Sequence, residues 1–306
     1  MWAGDMETLR LIVVSMRPQQ WAKNVLVFAA VVFSGRFLDV DALLASLLCF
    51  ASFCLVSGAI YIFNDIVDRE SDRLHPLKKA RPIASGELSV GAASVAAMVA
   101  ALAGLAVALY VSFAFADASI LIFVVVLVYL LLQIAYTLLL KHLVILDVMT
   151  LSAGFVLRVL AGGVAIDAQL SYWAIICTIL LALFMGFGKR RHEILLLNDA
   201  AISHRRSLGE YSPYFLDQMI AVTTASTVVA YALYTMSSEV IEKLGTDKLI
   251  ITLPFVIYGI FRYLYLVHRK DVAGDPTRAL LTDPPLMVSV VLWFITVIIL
   301  LYFEPR

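Results

Sequence analysis

The chain has 306 residues, of which 62% are hydrophobic and 15% charged, and its formal net charge is zero. Its mean hydropathy of +0.94 excludes a soluble globular domain, in which roughly half of the residues are apolar. Because the net charge is zero, only the placement of the charges can indicate a partner, and we expect no nucleic-acid partner.

Nine stretches of the sequence are apolar enough to cross a bilayer. A transmembrane helix needs about 20 residues to cross a hydrocarbon core about 30 Å thick, and each stretch is close to that length. The stretches are 22–38, 42–66, 89–111, 115–140, 143–166, 171–188, 213–236, 249–267 and 285–303. The first is the least regular, because Lys23 and Arg36 lie within it. We expect an all-α polytopic membrane protein with nine transmembrane helices, organised as a single integral-membrane domain over residues 1–306.

The basic residues separate onto the two sides of this predicted bundle. Nine spans place the termini on opposite sides, and all but five of the 23 Lys and Arg residues then lie on the side of the N-terminus. The exceptions are Arg158, within a span, and Arg36, Lys243, Lys248 and Arg306 on the other side. Basic loops remain in the cytoplasm, so we expect the N-terminus there and the C-terminus on the outer side. The two longest loops, 67–88 and 189–212, are then cytoplasmic as well.

The entry to the first predicted span is polar and aromatic. Arg17, Gln20, Trp21, Lys23 and Asn24 lie within eight residues of one another. Such a segment is typical of an interfacial anchor. The same side chains would also form one wall of a cytoplasmic binding site, and the sequence leaves both interpretations open.

A cluster of acidic residues lies at the cytoplasmic end of the second predicted span. Asp65, Asp68 and Asp72 are spaced i, i+3 and i+7, and Asn64 lies four residues before Asp68, so we expect all four on one face of one helix. Crowded carboxylates repel each other unless a cation lies between them, and hard oxygen ligands favour Mg²⁺. Because protein-bound Mg²⁺ usually also binds substrate phosphates, this acidic cluster predicts phosphate chemistry at a membrane surface.

The loop after the acidic cluster is basic and contains Lys78 and Arg81. These side chains could close over a metal-bound phosphate, with Arg81 making bidentate contacts. They could instead be topology signals that contact anionic lipid head groups. Since they follow Asp72 so closely, we favour the phosphate-binding interpretation.

Four further polar residues lie near or within the middle spans. Tyr136 and Lys141 are typical of an interfacial aromatic and a snorkelling cation. Asp147 and Arg158 are costly at lipid depth, so we expect them to face the interior of the bundle. Arg158 would then either pair with Asp147 or reach into the binding site.

The second long loop begins with the basic run Lys189, Arg190 and Arg191, followed by Glu193. Three cations at the end of a span can be a topology signal. They can equally bind phosphate oxygens. The sequence of the loop leaves these two interpretations open.

The acidic cluster and the loop after it together match a known motif. The matching residues are Asn64, Asp65, Asp68, Asp72, Arg81, Pro82 and Gly86. This pattern resembles the first aspartate motif of the UbiA superfamily of intramembrane prenyltransferases. The resemblance implies a nine-helix bundle with a cytoplasmic cap formed by the loops between spans two and three and between spans six and seven.

One departure from the family pattern is informative. Members that prenylate aromatic rings carry a second aspartate-rich motif between spans six and seven. At the place of that motif this chain has the basic run, with only Glu193 and Asp199 as acidic residues close to it. This departure, with Arg17–Asn24 and Arg158–Gly163, resembles the decaprenyl-phosphate phosphoribosyltransferase branch. The resemblance implies a transferase of the bacterial inner membrane that joins 5-phosphoribosyl diphosphate (PRPP) to a polyprenyl phosphate. Its product would serve cell-wall arabinan synthesis.

The resemblance also implies roles for individual residues. Asp65 and Asp68 would be catalytic, holding Mg²⁺ with Asn64 and Asp72. The predicted contacts to PRPP and to phosphate are Lys23, Lys78, Arg81, Tyr136, Lys141, Arg158, Lys189, Arg190, Arg191 and Glu193. The expected partners are PRPP, the polyprenyl phosphate and membrane lipids, and a homo-oligomer is left open.

Two other functions fit parts of the sequence. A Mg²⁺-dependent prenyltransferase for an aromatic acceptor would share the fold and the first motif, but the missing second acidic motif counts against it. A transporter would place ionisable groups near the bilayer midplane at broken helices. Here only Arg158 and Asp147 are candidates for such groups, so we favour an enzyme.

Overall fold

The chain folds into helices throughout the part that the computed structural model describes, which is residues 2–115, 119–197, 206–269, 279 and 282–303. The α-helices are α1 (Trp2–Ser15), α2 (Ala29–Phe33), α3 (Val40–Val67), α4 (Arg69–Leu74), α5 (Pro82–Ser85), α6 (Val90–Phe115), α7 (Leu121–Leu138), α8 (Leu146–Ala165), α9 (Tyr172–Leu197), α10 (Pro213–Met236), α11 (Ser238–Leu244), α12 (Leu253–Arg269) and α13 (Pro284–Tyr302). The 3₁₀-helices are Pro18–Phe28, Lys78–Ala80, Leu140–His142, Arg206–Gly209 and Lys248–Thr252.

Eight helical segments of the described residues are long and apolar enough to cross a bilayer. They are Val40–Val67, Val90–Phe115, Leu121–Leu138, Leu146–Ala165, Tyr172–Leu195, Pro213–Met236, Lys248–His268 and Pro284–Tyr302. They correspond to the second to the ninth predicted spans, so the chain is a multi-pass integral membrane protein. The helix α9 continues beyond the sixth predicted span, through the basic run to Leu197. Lys189 and Arg190 pair with Glu193 at i+4 and i+3, which stabilises the first part of this extension.

The first predicted span differs from the others. Residues 22–38 do not form one α-helix of spanning length but belong to the 3₁₀-helix Pro18–Phe28 and to the five-residue helix α2. The 3₁₀-helix starts after Arg17, whose φ of 53° is left-handed, and α2 ends before Gly35, whose φ is 74°. Left-handed residues interrupt right-handed helices, which accounts for the limits of this helical stretch.

The chain divides into two compact units, which we describe separately. The first unit comprises Met1–Ala29, Asp39–Leu140 and Leu157–Asp167. Its central contact joins α3 to α6 at Gly104, where an added Cβ would lie 2.6 Å from Val56 Cγ2. At the same place Ser52 donates a hydrogen bond of 2.8 Å to the Gly104 carbonyl oxygen. This close packing fixes α3, whose last turn carries the first residues of the acidic cluster.

The second unit comprises Ala30–Leu38, Lys141–Val156 and Ala168–Arg306. Its core contains aromatic and aliphatic side chains from α8, α9, α10 and α12, including Val148, Phe184, Leu216 and Tyr263. Gly186 permits α9 to approach α8, because an added Cβ would lie 2.6 Å from Val148 Cγ1. The core therefore holds the start of α8 against the last turns of α9, where the basic run lies.

Candidate active site

The acidic cluster spans two helices rather than one. α3 ends at Val67, Asp68 adopts a φ of −88° and a ψ of 6°, and α4 begins at Arg69, so the prediction of one helix face is wrong at Asp68. The hydroxyl of Ser71 donates a hydrogen bond of 2.8 Å to the Asp68 carbonyl oxygen, an interaction that bends helices. The cluster nevertheless remains local, because the Asp68 amide still bonds to the Asn64 carbonyl oxygen and the Asp72 amide to that of Asp68.

Two arginines bind the buried carboxylates of the acidic cluster. Asp65 and Asp72 are each 3% exposed. Arg17 donates to Asp65 Oδ1, and Arg81 Nη1 donates both to Asp65 Oδ1, at 3.1 Å, and to Asp72 Oδ2. One cationic nitrogen thus lies between two carboxylates, which relieves the repulsion expected from their spacing. Lys78 Nζ lies 4.0 Å from Asp72 Oδ1 and adds to the positive charge.

Local structure orients these cations. Arg17 precedes Pro18 in the left-handed conformation, and its guanidinium lies 5.0 Å from the centre of the Tyr61 ring. Arg81 is the residue before Pro82 and caps α5, so its extended backbone is set by the proline. The buried imidazole of His75 accepts hydrogen bonds from the amides of Leu77 and Lys78 through Nδ1. His75 therefore orders the turn that presents Lys78, a role that the sequence alone did not reveal.

Arg158 lies in a buried polar site within the first unit. It is 5% exposed, and it donates to Asn24 Oδ1 at 2.7 Å and to the Tyr129 hydroxyl at 2.8 Å. Its guanidinium also lies 4.7 Å from the centre of the Tyr129 ring and 5.7 Å from that of Phe53. Aromatic faces and neutral acceptors stabilise a cation in this apolar setting. Asp147 is described below with Arg190, a cationic partner of its own unit.

A second buried network lies at the start of α8 in the second unit. Asp147 and Arg190 are both 0% exposed, and Arg190 Nε donates to Asp147 Oδ2 at 2.7 Å. The Tyr211 hydroxyl donates to Asp147 Oδ1 at 2.7 Å and accepts from the Ile145 amide at 2.7 Å. Burial, followed by the hydrogen bond to the Asp147 carboxylate, raises the pKa of Tyr211 above its ordinary value. We refer to Ile145, Asp147, Arg190 and Tyr211 as the α8–α9 network.

The neighbours of Arg190 in the basic run are more accessible. The side chain of Lys189 is 38% exposed, and its Nζ lies 3.9 Å from Glu193 Oε1, whereas Glu193 Oε2 accepts from Arg190. Arg191 donates to Asp217 at 2.6 Å and to the Val267 carbonyl oxygen at 3.4 Å. The last turns of α9 therefore present one inward-facing arginine and one accessible lysine.

The predicted site residues divide between the two units. Those in the first unit are Lys23, Asn64, Asp65, Asp68, Asp72, Lys78, Arg81, Tyr136 and Arg158. Those in the second unit are Lys141, Lys189, Arg190, Arg191 and Glu193. Lys23 and Tyr136 are half-buried and Lys141 is buried. Asp199 lies outside the described residues.

The carboxylates of the acidic cluster have the chemistry that a magnesium site needs, although the described residues contain no ready-made group of three or more His, Cys, Asp or Glu side chains around one point. Arg81 Nη1 contacts an oxygen of Asp65 and an oxygen of Asp72. This nitrogen occupies the position between two carboxylates that a cation would take. Hard carboxylate oxygens suit Mg²⁺, so the donor set is compatible with this ion once the guanidinium group moves away.

Comparison with known proteins identifies relatives along almost the whole chain. The model of the UbiA prenyltransferase family matches residues 25–282. The decaprenyl-phosphate phosphoribosyltransferase of Corynebacterium glutamicum is 36% identical over 294 residues, which cover 95% of this chain and 86% of that protein. The protein of the same name from Mycolicibacterium smegmatis is 33% identical over 304 residues, covering 96% of this chain and 93% of that protein.

The fold also has solved relatives. The structure of a UbiA homologue from Archaeoglobus fulgidus bound to GPP and Mg²⁺ matches with a TM-score of 0.71 at 19% identity, over 94% of this chain and 99% of that one. At this identity the likeness concerns the fold alone. Together with the match to the family model over most of the sequence, it leads to one conclusion: the chain belongs to the UbiA prenyltransferase family.

Proposed function

We propose that this enzyme transfers 5-phosphoribose from PRPP to a polyprenyl phosphate and releases diphosphate. The observation that carries the proposal is that the chain combines the acidic cluster with a basic, partly exposed end of α9. PRPP brings a diphosphate and a 5-phosphate, and the lipid brings another phosphate, so both substrates need cations. Similarity over more than nine-tenths of the chain to two proteins named decaprenyl-phosphate phosphoribosyltransferase supports this substrate pair.

The acidic cluster is the proposed binding site for Mg²⁺. Asp65 and Asp68, assisted by Asn64 and Asp72, would hold the ion with the diphosphate of PRPP. The chemistry that Mg²⁺ supplies when bound is neutralisation of the charge on the leaving diphosphate. Arg17 and Arg81 now neutralise the carboxylates. They would turn to the diphosphate oxygens as it binds, because phosphate oxygens compete well for a guanidinium group.

The proposed reaction exchanges one carbon–oxygen bond for another. An oxygen of the lipid phosphate attacks the anomeric carbon from the face opposite the diphosphate, so the configuration at that carbon inverts. The bond from this carbon to the diphosphate breaks, and the electron pair leaves with the diphosphate. Because the attacking oxygen is already anionic, no general base is required, and positioning with electrostatic stabilisation supplies most of the rate.

The cations divide between the two substrates in this proposal. Lys78 and Arg81 close over the diphosphate, and the accessible Lys189 with Arg191 contacts the 5-phosphate or the lipid phosphate. Arg190 and Glu193 support Lys189 from within the protein. The remaining contacts, to the acceptor and to phosphate oxygens, are Lys23, Tyr136, Lys141 and Arg158.

The membrane topology is part of the proposal. The 3₁₀-helix Pro18–Phe28 has 11 residues, and a rise of about 2.0 Å per residue gives it a length of about 22 Å. With α2 following it, this segment would form the first membrane pass and bring the total to nine. The N-terminus and the loops that cap the site would then lie in the cytoplasm, at a bacterial inner membrane. The two units would act as one transferase domain, whose product supplies cell-wall arabinan.

The decisive assay uses the purified full-length protein in detergent with PRPP, polyprenyl phosphate and Mg²⁺. We expect diphosphate release together with a new phosphoribosyl lipid, both abolished by a chelator. A parallel reaction supplies a prenyl diphosphate and an aromatic acid. Prenylated aromatic product without phosphoribosyl lipid would overturn the proposal in favour of an aromatic prenyltransferase.

A further inference from the structure

Ile145 has an unusual backbone conformation just before α8. Its φ is 68°, which is left-handed and unfavourable for a β-branched residue. The amide of Ile145 donates to the Tyr211 hydroxyl at 2.7 Å, and the following residues enter α8. Such a conformation persists only where the surroundings hold it, and Tyr211 is a described partner of the strained amide.

Tyr211 links this turn to the second long loop. The residue lies at the end of that loop, two positions before α10, is 5% exposed, and its ring stacks with Phe215 at a centroid distance of 6.0 Å. Its hydroxyl accepts from Ile145 and donates to Asp147, so both of its hydrogen-bonding capacities are used at once. A phenylalanine would keep the ring packing but lose both interactions.

Asp147 transmits this constraint to α9. Its Oδ1 accepts from Tyr211 and from the Val148 amide, and its Oδ2 accepts from Arg190 Nε. Because Tyr211 and the Val148 amide hold the Asp147 carboxylate, the fully buried guanidinium of Arg190 has a fixed position. Arg190 in turn donates to Glu193, which is also the neighbour of Lys189. The constraint thus runs from the strained turn to the one accessible lysine described in the basic run.

We propose that Tyr211 is a positioning residue for phosphate recognition, acting through Asp147 and Arg190 to fix Glu193 and Lys189. Arg190 is the buried anchor of the basic run, and Lys189 is the side chain that meets a substrate phosphate. This inference rests on the proposed phosphoribosyl transfer for its kinetic consequences. Its structural consequence, the fixed environment of Lys189, does not depend on that reaction.

The first arm of the test measures the environment of Lys189 without any turnover. The rate at which a water-soluble reagent acetylates each lysine is followed by mass spectrometry in the wild type and in Tyr211→Phe. We expect acetylation of Lys189 to accelerate at least threefold in Tyr211→Phe, because the loosened Glu193 no longer holds the ammonium group. Lys243, an exposed lysine of the same unit, serves as internal control and should be unchanged. An unchanged rate at Lys189 would overturn the proposal.

The second arm is a double-mutant cycle on the proposed reaction. We expect Tyr211→Phe to raise the KM for PRPP or polyprenyl phosphate about tenfold with kcat changed less than threefold, which indicates lost binding rather than lost chemistry. In a Lys189→Ala background the same change should have no further effect on KM. Tyr214→Phe, which alters an exposed tyrosine, should behave as wild type.

The outcomes separate the two proposals. Additive effects of Tyr211→Phe and Lys189→Ala on KM, or a fall in kcat alone, would assign Tyr211 a structural role and overturn the inference. A wild-type protein without phosphoribosyl transfer would overturn the proposed function instead. In that case the acetylation arm still decides whether Tyr211 positions Lys189.

Discussion

The acidic cluster and the α8–α9 network both pair carboxylates with arginines, but the arginines differ in how deeply they are buried. In the acidic cluster, buried carboxylates meet arginines whose side chains remain 25% to 27% exposed. In the α8–α9 network, the carboxylate of Asp147 and the guanidinium of Arg190 are both completely buried. A partly exposed arginine can exchange its partner for a substrate at modest cost, whereas a buried one cannot leave without stranding a charge. The first arrangement suits ligand exchange, and the second suits permanent support.

We expect the largest loss of activity from a substitution in the acidic cluster, whose arginines can exchange partners. Asp65→Asn removes a charge on which Arg17 and Arg81 converge and a proposed ligand of Mg²⁺. We expect activity to fall by about 10³-fold, equivalent to about 4 kcal/mol of transition-state stabilisation, while the protein still folds. The same variant should lose the rise in melting temperature that Mg²⁺ with PRPP gives the wild type.

Glu70→Gln is the matched control for Asp65→Asn. Glu70 is an exposed carboxylate of α4, only five residues along the chain, and it pairs with Arg73. Its neutralisation should leave turnover within about twofold of wild type, since exposed ion pairs contribute little. Full activity in Asp65→Asn, or an equal loss in Glu70→Gln, would contradict an exchangeable site centred on Asp65.

A substitution in the α8–α9 network should instead lower the stability of the protein. Asp147→Ala removes the fully buried one of the two carboxylates to which Arg190 donates, and it leaves the Tyr211 hydroxyl without its Asp147 acceptor. Breaking such a pair costs about 3–5 kcal/mol, so we expect poor yield and a strongly lowered midpoint in thermal unfolding. Asp41→Ala, at an exposed position in α3, should change the midpoint by no more than a degree or two. A stable Asp147→Ala protein would show that Arg190 finds other support.

The sequence could predict much of this molecule because its strongest signals are local. Long apolar runs identified eight spans, and the spacing of Asp65, Asp68 and Asp72 identified the acidic cluster. It could not predict the break at Asp68, where the Ser71 hydroxyl donates a hydrogen bond to the Asp68 carbonyl oxygen. Nor could it predict that Tyr211 binds Asp147, because the two residues are 64 positions apart. A tyrosine near the start of a helix is also common, so its type and position did not single it out. Partners that meet only through tertiary packing leave no periodic signal.

Packing around Arg158, a buried cation of the first unit, allows a further comparison. Gly162 lies one turn after Arg158, and a Cβ added there would lie 2.0 Å from the Val27 carbonyl oxygen. Val27 is three residues from Asn24, an acceptor for Arg158. We expect Gly162→Ala to destabilise the protein by about 1–3 kcal/mol, because backbone must move to relieve the overlap.

Gly91→Ala provides the contrast for Gly162→Ala. An alanine at position 91 in α6 would meet nothing within 4 Å, so this variant should unfold at or slightly above the wild-type temperature. The measurement is thermal unfolding of both variants in the same detergent. Equal midpoints for the two variants would mean that the approach of α8 to Val27 is not as tight as the distance indicates.

The smallest expected effect is a pH dependence that distinguishes the α8–α9 network from the acidic cluster. The pKa of Tyr211 is raised, chiefly by burial and then by its bond to Asp147, whereas an unfolded tyrosine titrates near pH 10. A raised pKa in the folded state contributes stability that is fully present below about pH 10. That stability is lost as pH rises further, because the unfolded state then releases its proton first. The difference in melting temperature between wild type and Tyr211→Phe should therefore be constant from pH 7 to about pH 9.5 and shrink at higher pH. A difference that grows above pH 10 would mean that the Tyr211 hydroxyl is not held by Asp147.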